Sequence, residues 1–510
     1  MDAQPKVRIC VPVCETTIAG AREALIRARE GADILELRLD CLEPLELERA
    51  TELKPLLANL GIPVIITLRP AGQGGSRELD FSVRKASGRA WEGLDHIYRD
   101  MELDLLEHIS ASLNPAQVER LICSHHDFAG VPADLDQIYE RMSRTKAPIL
   151  KLAVQSHDIT DCLPMFRLLD RARKENRDLI AIAMGPAGVA TRILGPSRGA
   201  FLTYGSLDEQ SATAPAQLTV TELRDLYRIQ KINYETAIMG LVGMPVTHSV
   251  SPHMHNAALE SARVNGVYIP FPVKNIGSFI RRMVSPQTRE IDWYVRGFSV
   301  TAPHKSSVMT FLDWIEPSAL EIGAVNTIIV EKDALRGYNT DASAFLQTIS
   351  QECPDLADAR CAIIGAGGSA SAVAWALTRA GAEVIVFGRD ENKTAQLAAR
   401  FKVKTQTLKG ARFGEFELVV NATPLGTSGS LENQSPATSD QLRGARVACD
   451  LVYNPQQTSF LLEARAAGCK TVGGLAMLAS QAAEQFKLWT KLPAPENVML
   501  DVARKALENT

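Results

Sequence analysis

A lysine stands in the middle of a short apolar run, Ile-Leu-Lys-Leu-Ala-Val at residues 149–154. The length and composition of this run are typical of a buried strand, and lysine is rarely buried without a partner. One interpretation is an edge strand, with the stem of Lys151 on apolar surface and its ammonium group in water. The other is a lysine inside a barrel, where desolvation favours the neutral amine that attacks a carbonyl carbon.

Other apolar runs in the first half of the chain also end in polar residues that could do chemistry. They are Glu36, Arg38, Arg69, Asp100, Glu102, Ser124, His125, His126, Asp127, Arg192, Thr213 and Gln217. Arginine grips a carboxylate through two parallel hydrogen bonds, a buried lysine forms an imine with a ketone, and histidine moves protons near neutral pH. Each residue alone could be structural. Together they predict dehydration of a β-hydroxy ketone acid through a lysine imine, with no metal required.

Eight short apolar runs alternate with helical patterns over residues 7–205, which predicts a compact (β/α)₈ barrel. The runs lie at 7–13, 34–39, 64–68, 96–103, 121–125, 149–154, 179–184 and 200–204. A doubly wound open sheet is the alternative, but no glycine-rich nucleotide turn follows the first run. Residues 221–231 carry leucines at helical spacing and predict the last barrel helix. In such a barrel the polar residues at the carboxyl ends of the strands converge on one site.

Four motifs in this half resemble type I 3-dehydroquinate dehydratase, over about residues 6–228. They are Glu-Leu-Arg-Leu-Asp (36–40), Ser-His-His-Asp-Phe (124–128), Ile-Leu-Lys-Leu-Ala (149–153) and Ala-Pro-Ala-Gln (214–217). The resemblance implies Lys151 as the Schiff-base lysine and His126 as the general acid and base. It also implies substrate contacts by Glu36, Arg38, Arg69, Arg192, Thr213 and Gln217. The chain departs from the family at Gln73, where a glutamate is usual; glutamine accepts hydrogen bonds but carries no charge.

The second half contains a different set of polar motifs. Ser249 and Ser251 precede Pro252, which suits the first turn of a helix with Ser251 as its cap, while the paired hydroxyl groups suggest a polar ligand. Thr301 shares a strand face with Ser299, and Lys305 follows at the strand end.

A glycine fingerprint lies further along the chain. Gly365, Gly367, Gly368, Ser369 and Ala370 fit the G-x-G-x-x-A pattern between an apolar strand and an apolar helix. Such a turn lets the backbone approach a pyrophosphate at the helix N-terminus. The next strand ends in Gly-Arg389-Asp390, with Lys393 beyond. Arg389 favours the 2′-phosphate of NADP, although the adjacent acid also fits the ribose of NAD, and all three residues could simply be solvated.

Further motifs follow: Asn-Thr-Asp (339–341), Val-Asn-Ala-Thr-Pro-Leu-Gly (420–426), Asp-Leu-Val-Tyr-Asn-Pro (450–455) and Gly-Gly-Leu-Ala-Met-Leu-Ala-Ser-Gln (473–481). Together with the serine pair, the Thr301–Lys305 segment and the glycine fingerprint, they resemble shikimate dehydrogenase from about residue 238 to the C-terminus. The resemblance implies Lys305 and Asp341 as the catalytic pair. It implies substrate contacts by Ser249, Ser251, Thr301, Asn326, Tyr453 and Gln481, and cofactor contacts by Asn421, Thr423, Gly474 and Met477 besides the fingerprint, Arg389 and Lys393. The whole chain therefore resembles the fused dehydratase–dehydrogenase, in which the product of the barrel is the substrate of the dehydrogenase. A quinate- or NAD-linked second half, or a non-catalytic metabolite sensor, are the alternatives.

The chain is long enough for several domains. We predict an α/β protein: a barrel at 1–232, a substrate-binding domain at 237–345, a Rossmann NADP-binding domain at 346–480 and C-terminal helices at 481–510 that pack back on the substrate domain. Of its residues 46% are hydrophobic and 22% charged, with a formal net charge of −4. This balance favours small-molecule partners over nucleic acid or membrane, and we expect a monomer or homodimer.

The nine cysteines are scattered. We expect no zinc site or disulfide framework, with Cys10 and Cys14 as ordinary core or strand-end residues. The start of the chain leaves no room for a targeting peptide, so a reducing cytoplasm is expected.

Overall fold

The computed structural model describes residues 7–91, 94–208, 210–211, 213, 217–246 and 249–508. Most of the Ala-Pro-Ala-Gln motif, residues 214–216, lies outside these ranges. Two compact units divide the chain: the first comprises Met1–Thr236 with Pro270–Met283 and Glu290–Tyr294, and the second comprises the remainder.

The first unit contains a nearly closed barrel of parallel strands in the order β7-β6-β5-β4-β3-β2-β1-β8, and a bridge between Leu179 and Ala200 narrows the remaining gap. The strands are β1 Ile9–Val13, β2 Ile34–Arg38, β3 Val64–Thr67, β4 Ile97–Glu102, β5 Leu121–Asp127, β6 Ile149–Gln155, β7 Asp178–Met184 and β8 Thr203–Tyr204. The helices are Ile18–Arg29, Pro44–Glu48, Lys54–Asn59, Phe81–Ala90, Leu103–Ile109, Pro115–Val118, Leu135–Arg144, Cys162–Lys174 and Val189–Leu194. The predicted barrel is confirmed.

The end of the barrel departs from the prediction of one regular helix over 221–231. A π-helical turn covers Glu222–Leu226, and a 3₁₀ turn follows at Ile229–Lys231. Between them Arg228 has a φ of 50°, a left-handed conformation that an α-helix does not accommodate. The leucine spacing predicted a helical face correctly, but not this break.

Two cysteines at neighbouring strand ends contradict the prediction of no disulfide. Cys14, just after β1, is bonded to Cys41. Strands β1 and β2 are parallel, with Val13 opposite Leu37, so the segments that follow them leave the barrel side by side. The sequence separation of 27 between the two cysteines hides this proximity in the sequence.

Residues 237–508 form two six-stranded sheets. One has the order β10-β9-β11-β13-β14-β12, with β9 and β11 parallel and β13 antiparallel to both its neighbours; the other has the order β17-β16-β15-β18-β19-β20 with all strands parallel. The second order is that of a dinucleotide-binding Rossmann sheet. The predicted Rossmann region is therefore confirmed.

The strands of the two sheets are β9 Ala237–Gly243, β10 Gly266–Pro272, β11 Val295–Val300, β12 Trp314–Ile315, β13 Thr327–Val330, β14 Leu335–Tyr338, β15 Arg360–Ile364, β16 Glu383–Gly388, β17 Lys404–Thr407, β18 Leu418–Asn421, β19 Val447–Asp450 and β20 Lys470–Val472. The helices are Ser251–Ser261, Ile276–Phe279, Pro317–Ile322, Asp341–Ile349, Gly368–Arg379, Glu391–Phe401, Ser439–Leu442, Ser459–Ala466, Gly474–Thr490 and Glu496–Glu508.

The last two helices pack on the mixed sheet. Phe486 and Met499 belong to one buried cluster with Met239 of β9. Helix Gly474–Thr490 runs across the expected domain boundary at 480/481. Its residue Met477 packs in the core of the Rossmann sheet, and Phe486 packs in the core of the mixed sheet.

Candidate active sites

The barrel interior positions the first site. Alternate residues of a strand face the same side, so Glu36 on β2, Asp100 on β4 and Lys151 on β6 all point into the barrel. The Nζ atom of Lys151 lies 3.2 Å from Glu36 Oε1 and 3.1 Å from Asp100 Oδ2. Lys151 is 5% exposed, and the Tyr204 ring centroid lies 4.7 Å from its Nζ atom. The structure therefore places Lys151 inside the barrel and not on an edge strand.

Arg69 supplies a second positive charge to the buried cluster of Lys151 and its two carboxylates. Its guanidinium group donates to Asp100 Oδ2 at 2.7 Å, to Glu102 Oε1 at 3.1 Å and to Ser124 Oγ at 2.6 Å. Burial alone would raise the pKa of Asp100, but the charges of Arg69 and Lys151 hold that pKa below its usual value. Arg69 thus lies in the site as predicted, with protein carboxylates as its partners.

The other two arginines differ in how free they are to bind an anion. Arg38 forms a bidentate pair with Asp40, at 2.9 and 2.7 Å. Arg192 is buried, and no described residue pairs with its guanidinium group. Burial lowers the pKa of Arg192 to about 10, which shows how little compensates its charge. An unpaired buried guanidinium is a ready partner for a carboxylate ligand.

His126 lies at the end of β5 with its ring close to the charged cluster. Its Nδ1 atom is buried without a partner among the described residues. Burial, with the charges of Arg69 and Lys151, holds the pKa of His126 well below its usual value, so the ring is neutral near pH 7 and can accept a proton. Its backbone N–H donates to Gln73 Oε1 at 2.8 Å, which gives Gln73 a place at the site. Phe128 stacks against the ring at 6.4 Å.

Thr213 and Gln217 are paired with one another. The Thr213 N–H donates to Gln217 Oε1 at 3.0 Å, and its Oγ1 atom lies 3.2 Å from the same oxygen. No contact joins either side chain to Lys151 within the described ranges. Their predicted role as substrate contacts stays a prediction.

The second site surrounds Lys305, in the loop after β11. Its Nζ atom lies 2.5 Å from Asp341 Oδ2, and Asp341 is buried at the start of helix Asp341–Ile349. Asn326 Nδ2 donates to Asp341 Oδ1 at 2.8 Å and to Gln481 Oε1 at 3.1 Å. The predicted pair of Lys305 and Asp341 is thus in contact, with two predicted substrate-binding residues beside it.

The serine pair lies in the same region, with one correction. Helix Ser251–Ser261 has Val250 at its N-cap, so the prediction that Ser251 caps it was wrong. Ser249 Oγ instead accepts the Ser251 N–H at 3.2 Å and lies 3.1 Å from Ser251 Oγ. The hydroxyl group that accepts an amide hydrogen bond at the helix start is therefore that of Ser249. The sequence could not show which of the two serines would do this. Burial raises the pKa of Tyr453, against a hydrogen bond with Ser249.

A cavity of about 1010 Å³ connects these residues with the glycine turn. Predicted residues that line it are Ser249, Ser251, Thr301, Lys305, Asp341, Gly367, Gly368, Ser369, Lys393, Thr423, Tyr453, Gly474, Met477 and Gln481. Asn326, Gly365, Ala370, Arg389 and Asn421 are not among the lining residues in the described part of the chain. Asn326 is buried and donates to Asp341 and Gln481, and Ala370 packs in the core.

The glycine turn fits a dinucleotide pyrophosphate. Gly365 has a φ of 128°, and a Cβ atom there would lie 2.7 Å from the Ala422 carbonyl oxygen. A Cβ atom at Gly367 would meet no described atom within 4 Å, so the space that a phosphate needs is open. The first amide groups of helix Gly368–Arg379 have no intrahelical acceptor and can donate to a phosphate.

The tip of β16 resolves the competing signals of Arg389 and Asp390. Asp390 is the N-cap of helix Glu391–Phe401, and its Oδ1 atom accepts the Lys393 N–H at 3.1 Å. Arg389 is exposed, and no ion pair involves it among the described residues. Asn421 is buried and organises its own turn, because its Oδ1 atom accepts the Thr423 N–H at 3.0 Å.

Sequence reasoning assigned no role to several residues now found in these sites. Asp100 and Tyr204 contact Lys151, and Ser299 and Gln485 line the cavity, joined by a 2.7 Å hydrogen bond. Signals existed for three of them: Asp100 precedes Glu102 by one strand repeat, Ser299 shares a face with Thr301, and Gln485 follows Gln481 by one helical turn.

Family models match along the chain. They describe type I 3-dehydroquinase at residues 9–234, a shikimate dehydrogenase substrate-binding domain at 241–328, shikimate/quinate 5-dehydrogenase at 347–431 and a shikimate 5′-dehydrogenase C-terminal domain at 474–504. A bifunctional 3-dehydroquinate dehydratase/shikimate dehydrogenase of Arabidopsis thaliana, named as chloroplastic, is 33% identical over 98% of this chain and 84% of its own. The chain belongs to this bifunctional family.

The second half of this bifunctional enzyme has further relatives. A shikimate dehydrogenase (NADP⁺) of Desulforamulus reducens is 40% identical over 54% of the chain and 97% of its own length. A crystal structure of shikimate dehydrogenase in complex with NADP⁺ has a TM-score of 0.50 and 35% identity, covering 54% of this chain and 97% of that one. Both are similar to the half that carries the Rossmann sheet. None of the helices in the described ranges combines the length and the hydropathy that a membrane span requires.

Proposed function

We propose that the chain catalyses two consecutive reactions: dehydration of 3-dehydroquinate to 3-dehydroshikimate, and NADPH-dependent reduction of that product to shikimate. The observation that carries the proposal is that two lysines, Lys151 and Lys305, each lie against carboxylates in separate polar sites. Membership of the bifunctional family supports both activities.

In the dehydratase, the amine of Lys151 attacks the ketone carbon after losing its proton, and water leaves as the imine forms. The imine acidifies the neighbouring C–H bond. His126, neutral near pH 7, removes that proton and returns it to the leaving hydroxyl group, which departs as water. Hydrolysis of the imine then frees the product and restores Lys151. We propose that Arg192 binds the substrate carboxylate, because its guanidinium group is buried and unpaired among the described residues.

In the dehydrogenase, Lys305 donates a proton to the ketone oxygen, and Asp341 holds its ammonium group in place. Asn326, Gln481 and the hydroxyl groups of Ser249 and Ser251 would bind the ring hydroxyls and carboxylate. NADPH, when bound, supplies the hydride. The glycine turn, Arg389 and Lys393 would hold it, and Arg389 would recognise its 2′-phosphate.

Two matched variants test the proposal. Lys151→Ala should abolish dehydration and leave shikimate oxidation intact, whereas Lys305→Ala should do the reverse. Borohydride added with dehydroquinate should reduce the imine and attach substrate mass to the wild-type barrel but not to Lys151→Ala. Wild-type chain that gains no mass and shows neither activity would contradict the proposal and favour the sensor alternative.

Substrate preference of the second half is a separate question. Comparing rates on shikimate and quinate, each with NADP⁺ and NAD⁺, tests the expected preference against the quinate- or NAD-linked alternative. We expect the highest rate with shikimate and NADP⁺. A higher rate with quinate or with NAD⁺ would contradict this expectation.

The domain bounds, assembly and location are also proposals. We keep the bounds 1–232, 237–345, 346–480 and 481–510, a monomer or homodimer without nucleic-acid partners, and a cytoplasmic location. Light scattering coupled to size-exclusion chromatography tests the assembly, and cell fractionation tests the location.

A further inference from the structure

The catalytic lysine of the dehydrogenase contacts the glycine turn as well as its carboxylate. Besides the contact with Asp341, the Nζ atom of Lys305 donates to Ser369 Oγ at 3.2 Å. Ser369 is the second residue of helix Gly368–Arg379, directly after the turn that fits the pyrophosphate. A single side chain thus connects the coenzyme-binding segment to the proton donor.

The stem of Lys305 packs on the same turn. A Cβ atom added at Gly368 would lie 3.1 Å from Lys305 Cδ and 3.2 Å from Lys305 Cβ, with Ala324 Cβ at 3.5 Å. These distances leave no room for a side chain at 368 unless the lysine moves. The absence of a side chain at Gly368 therefore gives the lysine stem its packing surface.

We infer that Ser369 is a positioning residue that couples coenzyme binding to the placement of Lys305. This inference rests on the proposed dehydrogenase function and deepens it. An ammonium group has three N–H donors: Asp341 and Ser369 take two, which fixes the direction of the third toward the cavity where the ketone oxygen must lie. Lysine has a flexible four-carbon stem, so each contact that removes a conformer raises the fraction of time spent in the reactive geometry.

Bound coenzyme would act on Lys305 through the backbone at the start of helix Gly368–Arg379. A pyrophosphate bound by the amide groups at the start of helix Gly368–Arg379 fixes the segment that carries the Ser369 hydroxyl and the Gly368 surface. Lys305 is then held in place before the ring substrate arrives. Because coupling between binding sites is reciprocal, shikimate must strengthen NADP⁺ binding by the same factor.

Ser369 could instead act as a direct phosphate ligand, with its contact to Lys305 incidental, and the two roles give different results. If Ser369 positions Lys305, Ser369→Ala should have a lower kcat and weaker coupling between NADP⁺ and shikimate binding. The dissociation constant of NADP⁺ alone should stay as in the wild type. A phosphate-ligand role predicts weaker binding of NADP⁺ alone and an unchanged kcat.

The experiment measures dissociation constants of NADP⁺ and shikimate by calorimetry, each alone and with the other saturating, together with kcat and KM for shikimate oxidation. For Ser369→Ala we expect kcat to fall about tenfold, the coupling factor to fall about fivefold or more, and the constant for NADP⁺ alone to stay within about twofold of wild type. Ser369→Thr keeps the hydroxyl group and should restore both kcat and coupling.

Thr378→Ala is the matched control, because it removes an exposed hydroxyl group from the same helix. It should behave as wild type. Ser369→Ala with unchanged kcat and coupling, or with loss confined to binding of NADP⁺ alone, would overturn the inference. Wild-type chain that does not oxidise shikimate would overturn the proposed function itself, so the two failures are distinguishable.

Discussion

Gln73 offers the sharpest test of how the barrel controls the pKa of His126, its proposed general base. Its Oε1 atom accepts the backbone N–H of His126 at 2.8 Å, so Gln73→Glu keeps the hydrogen-bond acceptor and adds only a charge. In the wild type, burial and the positive charges of Arg69 and Lys151 hold the pKa of His126 well below its usual value. A carboxylate at residue 73 opposes these effects.

The size of the change follows from the contact. Taking about 5 Å between the new charge and the imidazole ring, and an effective dielectric constant of about 20, the attraction is about 3 kcal/mol. That corresponds to about two pKa units and is an upper bound, because residue 73 is only half-buried and solvent screens the new charge. We expect the pKa of His126 to rise by about one unit.

The assay is the pH dependence of kcat/KM for dehydration. His126 must be neutral to remove the proton, so activity falls as pH drops through its pKa. The variant should lose dehydratase activity at a higher pH than the wild type. Gln73→Leu, which removes the acceptor without adding charge, should cause no upward shift, and the dehydrogenase activity of the same chain is an internal control. If kcat/KM falls at the same acidic pH in a folded Gln73→Glu variant as in the wild type, this account of His126 is refuted.

Three further predictions concern single charged residues. Arg192→Gln should raise KM for dehydroquinate by about tenfold or more, because it removes a buried unpaired charge, and should leave the dehydrogenase rate unchanged in steady-state assays. Arg389→Ala should raise KM for NADPH by about tenfold and leave that for NADH unchanged if it binds the 2′-phosphate; equal effects on both would contradict that role. Asp100→Asn should destabilise the barrel by about 3 kcal/mol at pH 7, since it leaves buried cations under-compensated. Because the pKa of Asp100 is lowered on folding, its contribution is full above the unfolded pKa of about 4 and is lost progressively as pH falls from there toward the folded pKa. The difference in melting temperature between variant and wild type should therefore narrow in acid.

The barrel pattern predicts where Lys151 lies because parallel strands bring their carboxyl ends together, whereas the pairing of Lys305 with Asp341 was implied only by the family resemblance. Once Lys151 lies on an inward-facing strand position, Glu36 and Asp100 on other strands must lie nearby, whatever the loops do. The disulfide between Cys14 and Cys41 could not be predicted in this way. It depends on which way two segments turn after leaving β1 and β2, and neither residue takes part in the strand periodicity.

Buried charge also explains why roles were harder to predict than positions. Three arginines near one site suggest three ligands for an anion, but Arg69 is occupied by Asp100 and Glu102 and Arg38 by Asp40. Each buried carboxylate needs a compensating cation, and composition does not say which arginine provides it. Only Arg192 remains without such a partner among the described residues.

The preference for NADP over NAD likewise depends on which charged side chain at the end of β16 already has a partner. After a Rossmann strand, the Arg389-Asp390 pair is ambiguous, because an arginine suits a 2′-phosphate and an acid suits ribose hydroxyl groups. The Asp390 carboxylate accepts the Lys393 N–H as the helix N-cap, and its Oδ2 atom lies 3.6 Å from Lys393 Nζ. A carboxylate at a helix N-terminus is stabilised there by the unpaired amides and the helix dipole, so turning it toward a ribose would cost about 1 kcal/mol of helix stability. Arg389 forms no ion pair among the described residues and is available to bind a 2′-phosphate. The end of β16 therefore favours NADP over NAD.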